Sequence, residues 1–271
     1  MGTLYIVTTP IGNLEDLTLR AMRVLGEVAL VAAEDTRQTR KLLTHLGISK
    51  PLVSYNEHNA VQRTPRLLDA LTEGDVALVT DAGVPAISDP GANLVRAAAE
   101  IGVRVVPIPG PSAVTAALSV AAMRSAGFKF VGFAPRTANT RRKLFGEVGR
   151  EPATLVVFEA PHRVRATLEA IADVLGDRPM AICRELTKLH EEIFRGTADE
   201  ALAHFKNPRG EFVLVIEGAL ERPEAPADPD GARQALAALK SRGQSRRDAV
   251  AQVTDAFGVS KREAYKLWLE A

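Results

Sequence analysis

The chain has one cysteine, Cys183, in 271 residues. A lone thiol excludes an intrachain disulfide and any zinc site built on cysteines, and it fits a reducing compartment. No apolar run approaches the ~20 residues that a membrane helix needs, so no membrane partner is expected. The opening Met1-Gly2-Thr3-Leu4-Tyr5-Ile6-Val7 lacks the basic start of a signal peptide. Met1-Gly2 superficially matches a myristoylation start, but the apolar residues behind it read as a core strand. A cytoplasmic location is therefore expected. Charge of one sign is also scarce: the formal net charge is +1. No global field advertises nucleic acid, and any RNA-binding surface has to be local. No G-x-G-x-x-G follows Val7, which removes the common dinucleotide fingerprint. His190-Glu191-Glu192 lacks the second histidine of H-E-x-x-H, so no metal is expected. Internal repeats and low-complexity tracts are absent.

What remains is an ordinary globular composition, 46% hydrophobic and 25% charged, enough for two cores and an appendage. Strand and helix patterns alternate from the first residue. Strands are predicted at Leu4 to Thr8, Val28 to Ala33, Pro51 to Tyr55, Val76 to Val79 and Val103 to Ile108. Helical spacing falls at Leu17 to Leu25, Thr39 to Leu46, Arg63 to Leu71 and Leu94 to Glu100. This alternation predicts an α/β domain over residues 1–110, with a mostly parallel sheet covered on both faces. Further strands are predicted at Phe128 to Phe133, Thr154 to Phe158, Met180 to Arg184 and Phe212 to Glu217. With helices between them, they predict a second α/β domain over 111–220. The acidic, proline-rich stretch 221–231 reads as a linker. Three short helices are predicted in the tail 232–271, which is locally basic through Lys240, Arg242, Arg246, Arg247, Lys261, Arg262 and Lys266.

Two Gly/Pro-rich loops stand out. Val79 to Gly91 holds Asp81-Ala82-Gly83-Val84-Pro85-Ala86-Ile87-Ser88-Asp89-Pro90, and Pro107 to Ala113 holds Pro109-Gly110-Pro111-Ser112. Each follows an apolar strand and precedes a helix. Such turns let backbone groups approach a ligand closely, and ligands of open α/β sheets bind outside the strand ends. Two of them in one half of the chain point to one shared pocket and to an enzyme.

Other motifs follow strands in the same way: Thr9 to Asp16 (ThrProIleGlyAsnLeuGluAsp), Glu34 to Leu43, Tyr55 to Asn59, Phe158 to Arg163 and Arg184 to Glu192. Together with the two loops, and in this order, they resemble the tetrapyrrole-methylase superfamily, and within it the branch that methylates ribosomal RNA. The resemblance spans Leu4 to Gly218. It implies S-adenosylmethionine as methyl donor, two α/β domains with that cofactor in the cleft between them, and a homodimer. It implies as substrate the 2'-hydroxyl of a cytidine ribose in the decoding region of 16S rRNA, within the small ribosomal subunit. Matched motif by motif, it places the cofactor against Pro10, Asp81, Ala82, Gly83, Ile87, Ser112 and Ala113, with Phe158, Glu159 and Ala160 contributed from the second half.

The residues themselves leave alternatives open. Asp81 either contacts the cofactor or caps a turn, and Asp89-Pro90 reads first as the N-cap and N1 of the helix through Leu94. Arg37, Arg40, His58, Asn59, His162 and Arg163 lie in polar clusters at loop positions and are expected to hold RNA phosphates. The alternative is an internal ion pair of Asp35 with Arg37 or Arg40 across a turn. Methyl transfer to a hydroxyl benefits from a base; Asp35, Asp81, Asp89, Glu185, Lys188 and Glu192 are the candidates. Two other functions share these features: a C-methyltransferase acting on a precorrin-type tetrapyrrole, and a non-catalytic RNA-binding assembly factor whose working part is the tail.

Overall fold

The computed structural model describes residues 1–87, 91–123, 127–219, 228–257 and 259–270. The chain divides into two compact units, Met1–Gly218 and Ala219–Ala271.

The first unit opens with β1 (Thr3–Val7), α1 (Leu19–Glu27), β2 (Leu30–Ala33), α2 (Thr36–His45) and β3 (Leu52–Ser54). It continues through α3 (Ala60–Glu73), β4 (Val76–Val79), α4 (Ala92–Glu100) and β5 (Arg104–Ile108). The five strands form one sheet in the order β3-β2-β4-β1-β5, and every pairing is parallel. The two-residue period of a strand explains how both faces are covered. Val31, Ala33, Ala77 and Val79 pack with Ala21, Val24, Leu25 and Leu43 of α1 and α2. Ala32, Val76 and Leu78 point the other way, onto Leu67, Leu71, Leu94 and Ala98 of α3 and α4. All four residues of β4 are buried, as expected of the middle strand of a parallel sheet.

The chain then crosses through α5 (Ala113–Val120) to a second sheet. Its elements are β6 (Phe128–Phe133), α6 (Ala138–Val148), β7 (Thr154–Glu159), α7 (Pro161–Leu175), β8 (Met180–Arg184), β9 (Glu192–Gly196), α8 (Ala198–His204) and β10 (Phe212–Ile216). The order is β6-β7-β10-β8-β9, and only β6 and β7 pair in parallel. One face packs on α6, α7 and α8 through Phe145, Leu168, Ile171 and Ala201. The other face is covered by α5, whose Val114 and Ala117 meet Val156, Ala181, Cys183, Val213 and Val215. Strand β9 was not expected. Its sequence, GluIlePheArgGly, is short and carries two charged residues in five, and it forms because β8 offers it an antiparallel edge from Met180 to Arg184.

The second unit holds α9 (Pro229–Ser241), α10 (Arg246–Phe257) and α11 (Lys261–Glu270). They enclose their own core of Leu236, Val250, Val253, Leu267 and Trp268. No described helix is long and apolar enough to cross a membrane.

Candidate active site

The carboxyl ends of β1, β2 and β4 carry three loops that are stitched together. Thr9 and Gly83 form an antiparallel bridge, with Thr9 N–H donating to Gly83 O (2.9 Å) and Gly83 N–H to Thr9 O (3.1 Å). Gly83 sits at φ +84°, a conformation that L side chains rarely adopt. The loop after β2 joins through carboxylates. Thr80 Oγ1 and the Asp81 N–H both donate to Glu34 Oε2, and the Asp35 N–H donates to Asp81 Oδ1 (3.1 Å).

Across from these loops, the segment after β8 presses on the turn after β1. A Cβ at Gly12 would lie 2.5 Å from Lys188 Cγ and 2.9 Å from Thr187 Oγ1, so only glycine admits this approach. Glu185 and Thr187 both have positive φ, 51° and 67°. For a β-branched threonine that is a genuine outlier, and strain of this kind is tolerated where the surroundings fix the backbone. The backbone is held by the Thr187 N–H donating to Glu191 Oε2 (2.6 Å) and the Glu185 N–H donating to Glu211 O (2.9 Å), and Lys188 Nζ adds bonds to Glu185 Oε1 and Glu211 Oε2, both 2.9 Å.

Between the two halves lies a cleft of about 400 Å3, within the ~300–1,000 Å3 typical of small-molecule sites. The first half contributes Ile11, Glu34, Asp81 to Val84, Ile87 and Ser112 to Val114. The second contributes Phe133, Phe158 to Pro161, Cys183, Leu186 and Glu211 to Val213. Most of the wall is apolar. Its ionisable groups are four carboxylates, Glu34, Asp81, Glu159 and Glu211, and the thiol of Cys183; no Lys, Arg or His is among the described lining residues. Burial pushes the Cys183 thiol up to about 11, which keeps it protonated at neutral pH. Asp81 is raised above the usual carboxylate range, first by desolvation in the cleft wall and then by the nearby charges of Glu34 and Asp35. Helix α5 starts at the cleft, and Ser112 makes no side-chain cap there, so the helix's first amides lack a capping acceptor.

Of the residues expected to meet the cofactor, Asp81, Ala82, Gly83, Ile87, Ser112, Ala113, Phe158, Glu159 and Ala160 lie together on this wall. Pro10 does not. It is buried in its turn, and its neighbour Ile11 takes the wall position. The Glu159 carboxylate is consumed internally, accepting from Thr167 Oγ1 (2.6 Å), Ala160 N–H (2.8 Å) and Arg163 Nη2 (2.6 Å). Glu159 therefore shapes the wall and is not a free ligand. The same pair corrects the expectation for Arg163: it is committed to a fully buried carboxylate and does not present itself to RNA.

The other polar candidates scatter. His58 and His162 are exposed. Asn59 is turned inward, accepting from Asn56 N–H and donating to Ser54 Oγ, which makes it a loop brace. Arg37 and Arg40 lie on the exposed face of α2, outside the cleft.

Among the candidate bases, Asp35 is the N-cap of α2, and its hydrogen bonds from the Arg37 side chain and backbone hold it at about 2. Glu185 is lowered by its bond from Lys188. Lys188 cannot serve as a base: burial alone would lower it, but the bonds to Glu185 and Glu211 outweigh burial and keep it charged. Glu192 lies off the cleft wall, bonded to His204 Nε2 (2.6 Å) and Arg184 Nη1 (3.0 Å), and is lowered chiefly by His204. Asp89 lies outside the described residues. Ile11, Val84, Phe133, Leu186 and Glu211 line the cleft without having been expected. Leu186 stood inside the Arg184-to-Glu192 motif, whereas nothing local to Phe133 or Glu211 marks them.

A carboxylate-lined, largely apolar cleft at the strand ends of a parallel sheet, closed by a second mixed sheet, defines an α/β enzyme for a small cationic ligand. The chain belongs to the tetrapyrrole (corrin/porphyrin) methylase family, whose sequence profile matches residues 3–202. It is a methyltransferase that takes its methyl group from S-adenosylmethionine. It is 45% identical to the ribosomal RNA small subunit methyltransferase I of Halalkalibacterium halodurans, over 98% of this chain and 94% of that one. It is 44% identical to the protein of the same name from Escherichia coli O157:H7, over 99% and 95%. Among solved structures, the uroporphyrin-III C-methyltransferase of Thermus thermophilus shares the fold at a TM-score of 0.58, with 20% identity over 80% of this chain and 94% of that one.

The residues present fit this donor. Its sulfonium and ammonium are cationic and suit a wall whose described charged side chains are all carboxylates. Its adenine suits the apolar part formed by Ile11, Phe158 and Leu186. Its carboxylate suits the uncapped amides of α5.

Proposed function

We propose that the protein methylates the 2'-hydroxyl of a cytidine ribose in the decoding region of 16S rRNA, acting as a homodimer on the small ribosomal subunit. The observation that carries this reading is identity of 42–49% to proteins named ribosomal RNA small subunit methyltransferase I, over 80–100% of the chain. The tetrapyrrole C-methyltransferases share the fold at far lower identity, 20% in the Thermus thermophilus enzyme.

In this reading the donor, when bound, supplies an electrophilic methyl group, and the chain's task is alignment and proton removal. Loops Thr9 to Gly12 and Asp81 to Val84, bridged to each other, hold one side, and Phe158 to Pro161 hold the other. Positioning of this kind can supply much of the acceleration of a displacement. Asp35, Glu185 and Glu192 each face a cation that weakens them as bases. Asp81 is the lining carboxylate best matched to receive the acceptor's proton, because its surroundings raise its proton affinity.

The test is labelled methyl transfer to small subunits from cells lacking this activity, followed by nucleotide mapping. One modified ribose in the decoding region is expected. Transfer to a porphyrinogen, or none to subunits, overturns the reading. The tail has its own core and a local excess of basic side chains. It is therefore proposed to assist subunit engagement. A chain ending after Gly218 is expected to melt cooperatively and to keep its donor affinity. Its subunit binding should depend less steeply on salt, because phosphate contacts have been removed. Aggregation or a large fall in Tm would instead make the tail structural.

A further inference from the structure

Helix α2 begins three residues beyond Ala33, the last residue of β2, and buries Thr39 and Leu43 against the sheet. That spacing turns Arg37, Arg40, Lys41, Thr44 and His45 to the opposite face, at i, i+3, i+4, i+7 and i+8. With Thr36 they line an open groove, and no carboxylate is among its described lining residues. The stripe is about 12 Å long at the rise of an α-helix, enough to touch more than one phosphate of a strand. In a chain of net charge +1 it is a local concentration of positive charge, and only Asp35 separates its first residue, Thr36, from Glu34 of the cleft wall. Arg37 is not loose on this surface. Asp35 grips it through Oδ2 to Nη2 (2.6 Å), while the Asp35 backbone N–H bonds Asp81 in the cleft wall (3.1 Å). One residue thus ties the groove to the candidate catalytic carboxylate.

We infer that the groove on α2 holds the phosphate backbone of the acceptor RNA strand, and that Asp35 sets its register against the cleft. This rests on the proposed RNA substrate and adds to it the path by which the strand enters. The charge of the groove fits phosphates, and Thr36 and Thr44 add hydroxyl donors of the kind that bind them. Asp35 is a positioning residue here: it acts through Arg37 and through Asp81.

The test is the double substitution Arg40→Ala with Lys41→Ala. Both side chains are exposed, so the helix should keep its buried face, and thermal melting checks this. The KM for unmodified small subunits is expected to rise about tenfold or more. The slope of log KM against log salt should fall by between about 1 and 2, at ~0.7 per phosphate contact on a single strand. Donor affinity by calorimetry should be unchanged. The charge-preserving pair Arg40→Lys with Lys41→Arg should restore most of the KM. A photoreactive benzoylphenylalanine in place of Thr44 should crosslink to rRNA. Unchanged KM and salt slope in the double variant would overturn the inference, and so would crosslinks to ribosomal protein alone. Absence of any transfer by the unaltered protein would instead strike at the RNA substrate itself.

Discussion

Glu159→Ala is expected to be the most destabilising single change in the cleft wall. The Glu159 side chain is fully buried, and its partner Arg163 is 19% exposed, at 2.6 Å. Thr167 Oγ1 and the Ala160 amide also depend on that carboxylate. Removing one member of a buried ion pair leaves the other charge without compensation, at a cost of about 3–5 kcal/mol. For a unit of this size, that lowers Tm by roughly 10 °C or more. Donor affinity should fall with it, because Phe158 and Ala160 line the cleft on either side of Glu159. The double substitution Glu159→Leu with Arg163→Met removes both charges together. It should be clearly more stable than Glu159→Ala, since no orphan charge remains. Thermal melting of the two variants decides the matter. A Tm drop of under about 2 °C for Glu159→Ala, or no recovery in the pair, would show that the ion pair does not hold the wall.

That pair also shows what could be read from the sequence and what could not. Strand positions, alternation and the Gly/Pro loops come from local pattern. Val76-Ala77-Leu78-Val79 can only be a covered parallel strand, and Asp81-Ala82-Gly83 only a turn beyond it. The first-half contribution to the cleft was therefore legible from those loops and from the family motifs together. Arg163 was not. On the sequence it is one more cation after a strand. Only the register of β7 into α7, which begins at Pro161, brings it one helical turn from Glu159. Glu211 and Phe133 were hidden for a similar reason: their place on the wall depends on long-range pairing, which sets β10 in the middle of the second sheet and β6 at its edge. Strand β9 was missed because its strand character comes from β8 rather than from its own residues. Lys188 shows the same dependence, since a lysine within the Arg184-to-Glu192 motif makes a plausible base until Glu185 and Glu211 are seen to hold its proton.

Asp81→Asn is expected to separate stability from activity. The change keeps the side chain's shape, and Oδ1 can still accept from the Asp35 N–H. It removes the negative charge that Glu34 and Asp35 oppose. In the folded protein the Asp81 pKa is raised by desolvation and by those two neighbours. A carboxyl with a raised folded pKa favours folding most below its unfolded pKa, and that benefit is lost as pH rises through the folded value. At neutral pH the ionised Asp81 therefore weighs against the fold, and the asparagine variant should melt at an equal or higher temperature. Activity should move the other way. If Asp81 takes the acceptor's proton, its loss should lower kcat by about 100-fold or more. In the unaltered protein, kcat/KM should fall on acidification along a limb lying above the usual aspartate range, because only the ionised form accepts a proton. That limb should vanish in Asp81→Asn. Calorimetry of donor binding provides the separation: a donor affinity lowered less than kcat assigns Asp81 to proton transfer, whereas an equal fall in both would make it a donor ligand alone. A variant with unaltered kcat and an unaltered acid limb would remove Asp81 from the chemistry altogether. The stability–activity opposition has a physical basis, in that a carboxylate held close to two others is costly to the fold and is retained where its proton affinity is used.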